Sequence, residues 1–265
     1  MRDLRDKTVA VTGAASGIGR ALAEELVARG ARVALSDVNE AGLEETRARL
    51  KGASGVSLHT VDVRDRAQVE AYAADTVEHH GRVDAIINNA GATVRGTFEE
   101  LDYDDIEFVV DVCFWGVLYG VKAFLPYLKQ RPEAHIVNIA SINAEVPFFG
   151  NGPYNAAKHA VSGLTQTLEQ ELAGTSVGVT CVYPGGIRTN IVRNARHTSE
   201  EDAAGFDRLA RTSPNSAARQ ILEAMTRPEP RKFIGRDAQL MSLAKKLAPR
   251  SVVKLVGRAS RGPIG

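Results

Sequence analysis

The 265-residue sequence predicts an α/β fold built on a single doubly wound, parallel, seven-stranded sheet with helices on both faces. Two observations carry that prediction. Short β-branched runs alternate with longer stretches of helical character, and a glycine-rich turn closes the first of those runs. Strand–helix alternation implies right-handed crossovers, which place consecutive helices over a parallel sheet.

The first strand is read at 8–12, where Val and Thr dominate, and a helix at 18–29 follows its glycine turn. A β-branched run gives a strand at 32–36, and a charged helix at 40–51 comes next. A strand at 56–61 precedes a helix at 66–80, and 83–88 is an apolar strand. One long apolar helix is expected at 103–129, stopped by Gln130-Arg131-Pro132. A strand at 135–140, a helix at 152–173 and a strand at 177–183 repeat the pattern, and a helix at 214–226 leads to a short strand at 232–234. The expected strand order is 3-2-1-4-5-6-7. Residues 190–212 are polar and irregular and follow a strand's carboxyl end, so they are expected to form a mobile lid over a substrate. The sheet domain is read as 1–235, with 236–265 as a basic helical extension.

Composition narrows the classes. Hydrophobic residues are 44% and charged residues 25%, as in ordinary globular chains, and a net charge of +1 gives no global field for nucleic acid. The charge is uneven: from Arg227 onward ten Lys or Arg face two Asp or Glu, a net +8 that leaves about −7 for the rest. Cys113 and Cys181 sit in apolar runs with no partner pattern for a disulfide or a metal. The first residues lack a signal-peptide core, and no uninterrupted apolar run is read as long enough to span a bilayer. The expected location is the cytoplasm.

The turn after the first strand reads Thr12-Gly13-Ala14-Ala15-Ser16-Gly17-Ile18-Gly19. Glycines there let a pyrophosphate approach the backbone, and the following helix offers free N–H groups and a positive dipole end. Gly13, Ser16, Gly17, Ile18 and Gly19 are therefore candidate cofactor contacts. Asp37 closes the second strand, where a carboxylate can hold adenosine ribose hydroxyls and would repel a 2′-phosphate, which points to NAD over NADP. The same aspartate would also serve as a cap for the next helix. Asp62 and Val63 are candidates for the adenine, and Asn89, Ala90 and Gly91 for close passage of the cofactor; turn chemistry explains both sets equally well.

Tyr154 and Lys158 are four residues apart on a predicted helix, thirteen residues beyond Ser141. Positions i and i+4 share a helix face, so the ammonium is expected beside the phenol and should lower its pKa. That would make Tyr154 an acid/base near neutral pH.

Taken together, the Thr12–Gly19 turn, Asp62, Asn88-Asn89-Ala90-Gly91, Ser141, Tyr154-x-x-x-Lys158 and Pro184-Gly185-Gly186-Ile187-Arg188-Thr189 resemble the short-chain dehydrogenase/reductase family over about 1–235. The resemblance implies a Rossmann fold and a catalytic Ser141, Tyr154 and Lys158. Tyr154 would exchange a proton with the substrate oxygen, Ser141 would orient that oxygen, and Lys158 would bind nicotinamide ribose. Pro184, Gly185, Ile187 and Thr189 would border the nicotinamide. The implied reaction is hydride transfer between NAD(H) and a secondary alcohol or ketone, in a homodimer or homotetramer. The alternative is a non-catalytic dinucleotide-binding sensor; epimerisation or dehydration on the same fold is a third reading.

Cys113 stands where many family members carry an asparagine that holds a relay water behind the lysine. The expectation is that the backbone carbonyl keeps the relay; a weakened relay and a redox thiol are the alternatives. Phe148 and Phe149 suggest an apolar substrate body, or ordinary core. In the tail, Leu240, Leu243 and Leu247 recur at helical spacing among cations. Such a segment can lie on an anionic membrane, but the favoured expectation is a helix docked on its own or a neighbouring subunit.

Overall fold

In the computed structural model, which describes residue 1, residues 3–227 and residues 229–261, seven parallel strands form one sheet in the order β3-β2-β1-β4-β5-β6-β7. They are β1 Thr8–Thr12, β2 Arg32–Asp37, β3 Val56–Thr60, β4 Ala85–Asn88, β5 Ala134–Ile139, β6 Val177–Pro184 and β7 Arg231–Ile234. Every residue of β1, β4 and β5 is buried, which is why these runs are almost continuously apolar instead of alternating. Val9 pairs with Val33 of β2 on one side and with Ala85 of β4 on the other. The winding direction reverses between those neighbours, and a crevice forms at the carboxyl ends of the strands there.

One face of the sheet is covered by α1 Gly17–Ala28 and α8 Pro214–Thr226, whose Leu22, Leu26, Ile221, Leu222 and Met225 bury against Val9, Val11 and Leu35. α2 Glu40–Arg49 flanks them. On the other face lie α3 Arg66–His80, α5 Gly116–Leu128 and α6 Gly152–Glu171, which enclose Tyr72, Ile86, Phe124, Leu128 and Ile136. Tyr72 is fully buried, yet its hydroxyl donates to Ala34 O at 2.7 Å and accepts Val11 N–H at 3.2 Å, so no polar atom is stranded.

Three expectations need correction. The long helix at 103–129 is not uniform: α4 Tyr103–Val110 runs into a π-helical turn, Asp111–Trp115, before α5 begins. Gly116 and Gly120 then share one face of α5. A side chain on either would collide, with Val63 at Gly116 and with the Asn88 amide at Gly120, so glycine is what lets the helix lie this close to the sheet. The 26-residue stretch Tyr103–Leu128 is also long and apolar enough to pass for a membrane span on length and composition. In the fold Val109, Cys113, Val117, Phe124 and Leu128 place one side of it in the core.

The segment 190–212 is not irregular throughout, because Glu200–Leu209 forms α7. Ser199 accepts the Asp202 N–H and the Asp202 carboxylate accepts the Ser199 N–H, a capping box that satisfies two free N-terminal donors. The tail folds as two helices, α9 Arg236–Leu247 and α10 Pro249–Ala259. Pro249 opens α10, where its missing N–H costs nothing.

Candidate active site

A cleft of about 1480 Å³ opens at the carboxyl ends of the strands. All the candidate site residues line it except Gly19, Asp62 and Val63. Gly13 has φ +67°, and a Cβ there would lie 2.8 Å from Ala90 Cα, so the turn must be glycine to pass under the loop after β4. Gly19 serves the turn itself, since a side chain on it would strike the Gly13 carbonyl.

The start of α1 is left open for an anion. Ser16, its N-cap, makes no side-chain cap bond, and no acid lies in the first turn. The helix ladder begins with Arg20 N–H to Ser16 O, so the preceding N–H groups and the positive dipole end are unneutralised. Asp37 holds the cleft edge beside this turn: its carboxylate accepts Ala15 N–H and Asn39 N–H, each at 3.0 Å. It is not the cap of α2; Asn39 is, accepting Gly42 N–H at 2.9 Å. Unneutralised donors for a pyrophosphate and a fixed carboxylate for a ribose diol fit a dinucleotide.

Asn89 lines the cleft and also ties together the loops that frame it. Its amide donates to Thr12 O at 2.9 Å and Gly13 O at 3.2 Å, while Thr12 Oγ1 accepts both Asn89 N–H and Ala90 N–H at 3.0 Å. It is a latch between the two loops that frame the cleft. Asp62 is clamped by Arg64, whose Nη2 lies 2.6 Å away, and that pairing holds its carboxyl below the usual range. Val63 is buried under Gly116.

Ser141 follows β5 and caps the 3₁₀ turn Ile142–Ala144. Its hydroxyl donates to Asn143 Oδ1 and accepts Asn143 N–H, both at 3.2 Å. Asn143 Nδ2 donates to Asn155 Oδ1 at 2.7 Å, and the buried Asn155 donates to Phe148 O at 2.8 Å. Asn155 was missed in the sequence, though it lies next to Tyr154; only the fold turns it toward Asn143. Pro153 in the first turn starts α6 and sets Tyr154 and Lys158 one turn apart.

Lys158 is only 2% exposed, and its Nζ donates to Ile139 O at 2.8 Å. Among the described residues no carboxylate pairs with it, so a buried ammonium faces the cleft with donors to spare. It lies 5.6 Å from the centre of the Tyr154 ring. The expected lowering of the Tyr154 pKa does not prevail: burial pushes the hydroxyl above the ordinary tyrosine value, the Cys113 thiol adds to the rise, and the Ser141 hydroxyl pulls it back in part. Cys113 is fully buried in the π turn, donating from Sγ to Ala92 O at 3.1 Å and accepting Ala92 N–H at 3.4 Å.

The far wall was not foreseen. Asp105 of α4 takes Arg196 at 3.1 Å and His197 Nε2 at 2.6 Å, and the Arg196 guanidinium lies 4.0 Å from the centre of the Phe108 ring. Burial alone would raise the Asp105 carboxyl, but these two hydrogen bonds together hold it below its usual value. The base of the expected lid is therefore pinned. Asp237, at the start of α9, accepts Gly186 N–H at 2.7 Å and so fixes the Pro184–Thr189 loop across 51 positions of sequence. Phe149 N–H donates to Ser260 Oγ at 3.0 Å, and Met241, Val256 and Ala259 add apolar wall. The capping box was legible at Ser199-x-x-Asp202; Asp237 and Ser260 carry no local signal.

A sequence model of the short chain dehydrogenases matches residues 7–200. The Mycobacterium tuberculosis protein SadH, whose name classes it as an oxidoreductase, is 41% identical over 265 residues, covering 97% of this chain and 96% of the relative. Among solved structures, a short chain dehydrogenase/reductase from Burkholderia phymatum in complex with NAD superposes with a TM-score of 0.85 at 30% identity, covering 97% of each chain. A short chain dehydrogenase from Burkholderia cenocepacia in complex with NADP shares the fold, with a TM-score of 0.80 at 24% identity over 96% of this chain and 98% of its own. Proteins of this fold thus carry either dinucleotide.

Proposed function

The chain belongs to the short-chain dehydrogenase/reductase family, and from that premise we propose that it moves a hydride between NAD(H) and a secondary alcohol or ketone. The observation that carries this reading is that Ser141, Tyr154 and Lys158 line the same cleft as the open start of α1. The Gly13–Gly19 turn would hold the pyrophosphate, Asp37 the adenosine ribose, and the Pro184–Thr189 loop the nicotinamide end. The hydride chemistry is the cofactor's own.

The chain's residues position the reacting oxygen and handle its proton. Ser141 would turn its single hydroxyl proton from Asn143 Oδ1 to the substrate oxygen, while the Asn143 N–H keeps hold of its oxygen. Tyr154 exchanges the proton with that oxygen. Its raised pKa keeps it protonated at neutral pH, which suits proton delivery to a ketone being reduced. In the oxidation direction the hydroxyl must first lose its proton, and the Lys158 ammonium is the neighbouring cation that favours the phenolate. The Asp37 carboxylate supports NAD over NADP, because it would face a 2′-phosphate with like charge. Trp115, 40% exposed, and the partly covered Tyr119 on the apolar stretch support a homodimer or homotetramer. The buried free thiols Cys113 and Cys181 suit a reducing cytoplasm.

The test is a panel of secondary alcohols and ketones with NAD(H) and NADP(H), followed by nicotinamide absorbance, with Tyr154→Phe as control. Turnover with NAD(H) is expected, falling at least ~100-fold in the variant. Absence of turnover despite NAD binding, or an equally active Tyr154→Phe, would overturn the reading.

A further inference from the structure

We propose that the outer face of α9 and α10 docks this protein on an anionic lipid surface. The argument starts from what the fold leaves uncovered. α9 turns Ala238 and Ser242 into the protein, and Leu240, Leu243 and Leu247 fall on the opposite side of its wheel. Those leucines are 65%, 55% and 79% exposed, and Leu255 of the adjoining α10 is 68% exposed. The tail is expected as a helix docked on its own or a neighbouring subunit; within this subunit Ala238 and Ser242 make the buried contact of α9, and the leucines are left outside it. A lone exposed leucine needs no explanation, but three along one side of α9, with a fourth exposed on the adjoining α10, make an apolar surface that calls for one.

The chemistry around the patch selects what covers it. Lys246 flanks the leucines on α9, and Arg250, Lys254 and Arg258 recur every four residues along the polar side of α10. From 238 to 261 the chain has six Lys or Arg and no Asp or Glu. Lys245 is held by Glu145; among the described residues the other five have no carboxylate side-chain partner. A second copy meeting this face across a two-fold axis would set cations against cations. An anionic bilayer offers hydrocarbon to the leucines and phosphate to the cations. Val256, Ala259 and Ser260 of α10 line the cleft, so one helix carries both cleft wall and docking face. Docking itself does not depend on the hydride chemistry.

The experiment is flotation of the full chain with vesicles of phosphatidylcholine alone or with about one-third phosphatidylglycerol. At ~0.1 M salt the anionic vesicles should carry at least ~10-fold more protein, and at ~1 M salt, where the screening length shrinks to about 3 Å, most of that excess should be lost. Leu243→Glu with Leu247→Glu should abolish flotation, and Lys254→Glu with Arg258→Glu should reduce it about tenfold. Tyr154→Phe should float like the native chain. Leu240→Ser with Leu255→Ser, a milder pair, serves if the first pair unfolds by circular dichroism. Equal recovery with both vesicle types, or leucine variants that float like the native chain, would sink the proposal. So would light scattering showing that the leucine variants split a larger assembly while the native chain binds no lipid, since the patch would then be a protein interface.

Discussion

At Tyr154 the fold sets two influences against each other: burial, with the Cys113 thiol, raises the hydroxyl's pKa, and the hydrogen bond with Ser141 lowers it. Since the raised direction prevails, the protonated hydroxyl is present across neutral pH. Ketone reduction should therefore be flat from about pH 6 to 8, while alcohol oxidation should climb steadily as pH rises, because only the deprotonated form accepts the proton. Initial rates in both directions across that range check this, and an oxidation rate that saturates below pH 7 would contradict it. At Asp37 the carboxylate is fixed by Ala15 N–H and Asn39 N–H. Asp37→Ala removes the repulsion toward a 2′-phosphate and should shift the NADP/NAD ratio of kcat/KM upward about tenfold, or ~1.4 kcal/mol. Steady-state kinetics with both cofactors would expose an unchanged ratio.

At the scale of elements, the π turn places Cys113 against both polar groups of Ala92, so the thiol has a structural task that its sequence position did not announce. If the proton route uses backbone and water, Cys113→Asn should leave kcat within about tenfold, a barrier change near 1.4 kcal/mol; a hundredfold rise would show that the cysteine limits the relay. α7 is held at its start by the Ser199–Asp202 capping box, and its Gly205, Phe206 and Leu209 line the cleft. Ser199→Ala should cost about 1 kcal/mol locally. Hydrogen exchange of the α7 amides should then speed up about fivefold with little change in Tm. Uniform acceleration across the molecule would mean that α7 is not an independent unit.

For the whole molecule, two histidines link stability to acidity. His80 bonds Ser57 Oγ at 2.9 Å and His135 bonds Thr180 Oγ1 at 2.9 Å, both buried. Burial pushes His80 down to about 4 and His135 to about 3. Below the unfolded value near 6.5 the unfolded chain takes up protons that the folded chain refuses. Stability is thus full above pH 6.5 and falls as pH drops toward those folded values, by about 1 kcal/mol per histidine at pH 5.5. His80→Gln should shrink the difference in urea stability between pH 7.5 and 5.5 by about that amount; an unchanged difference would refute the assignment.

Much of this architecture was legible in the sequence because local chemistry dictates it. Short apolar and β-branched runs alternating with helical stretches gave the strands, the doubly wound pattern gave their order, Gly13–Gly19 gave the turn, and helical spacing put Lys158 one turn from Tyr154. What escaped depended on residues distant in sequence. Asp237 reaches Gly186, Ser260 reaches Phe149, and Arg196 and His197 reach Asp105, none with a local signature. The sequence by itself determined the alternation of strands and helices and the one-turn spacing of Tyr154 and Lys158, since periodicity and spacing act over a turn or a strand. Only the tertiary structure decided which of two opposed influences sets the proton affinity of Tyr154, and which side of the basic tail is left bare. Burial and exposure are properties of the packed whole.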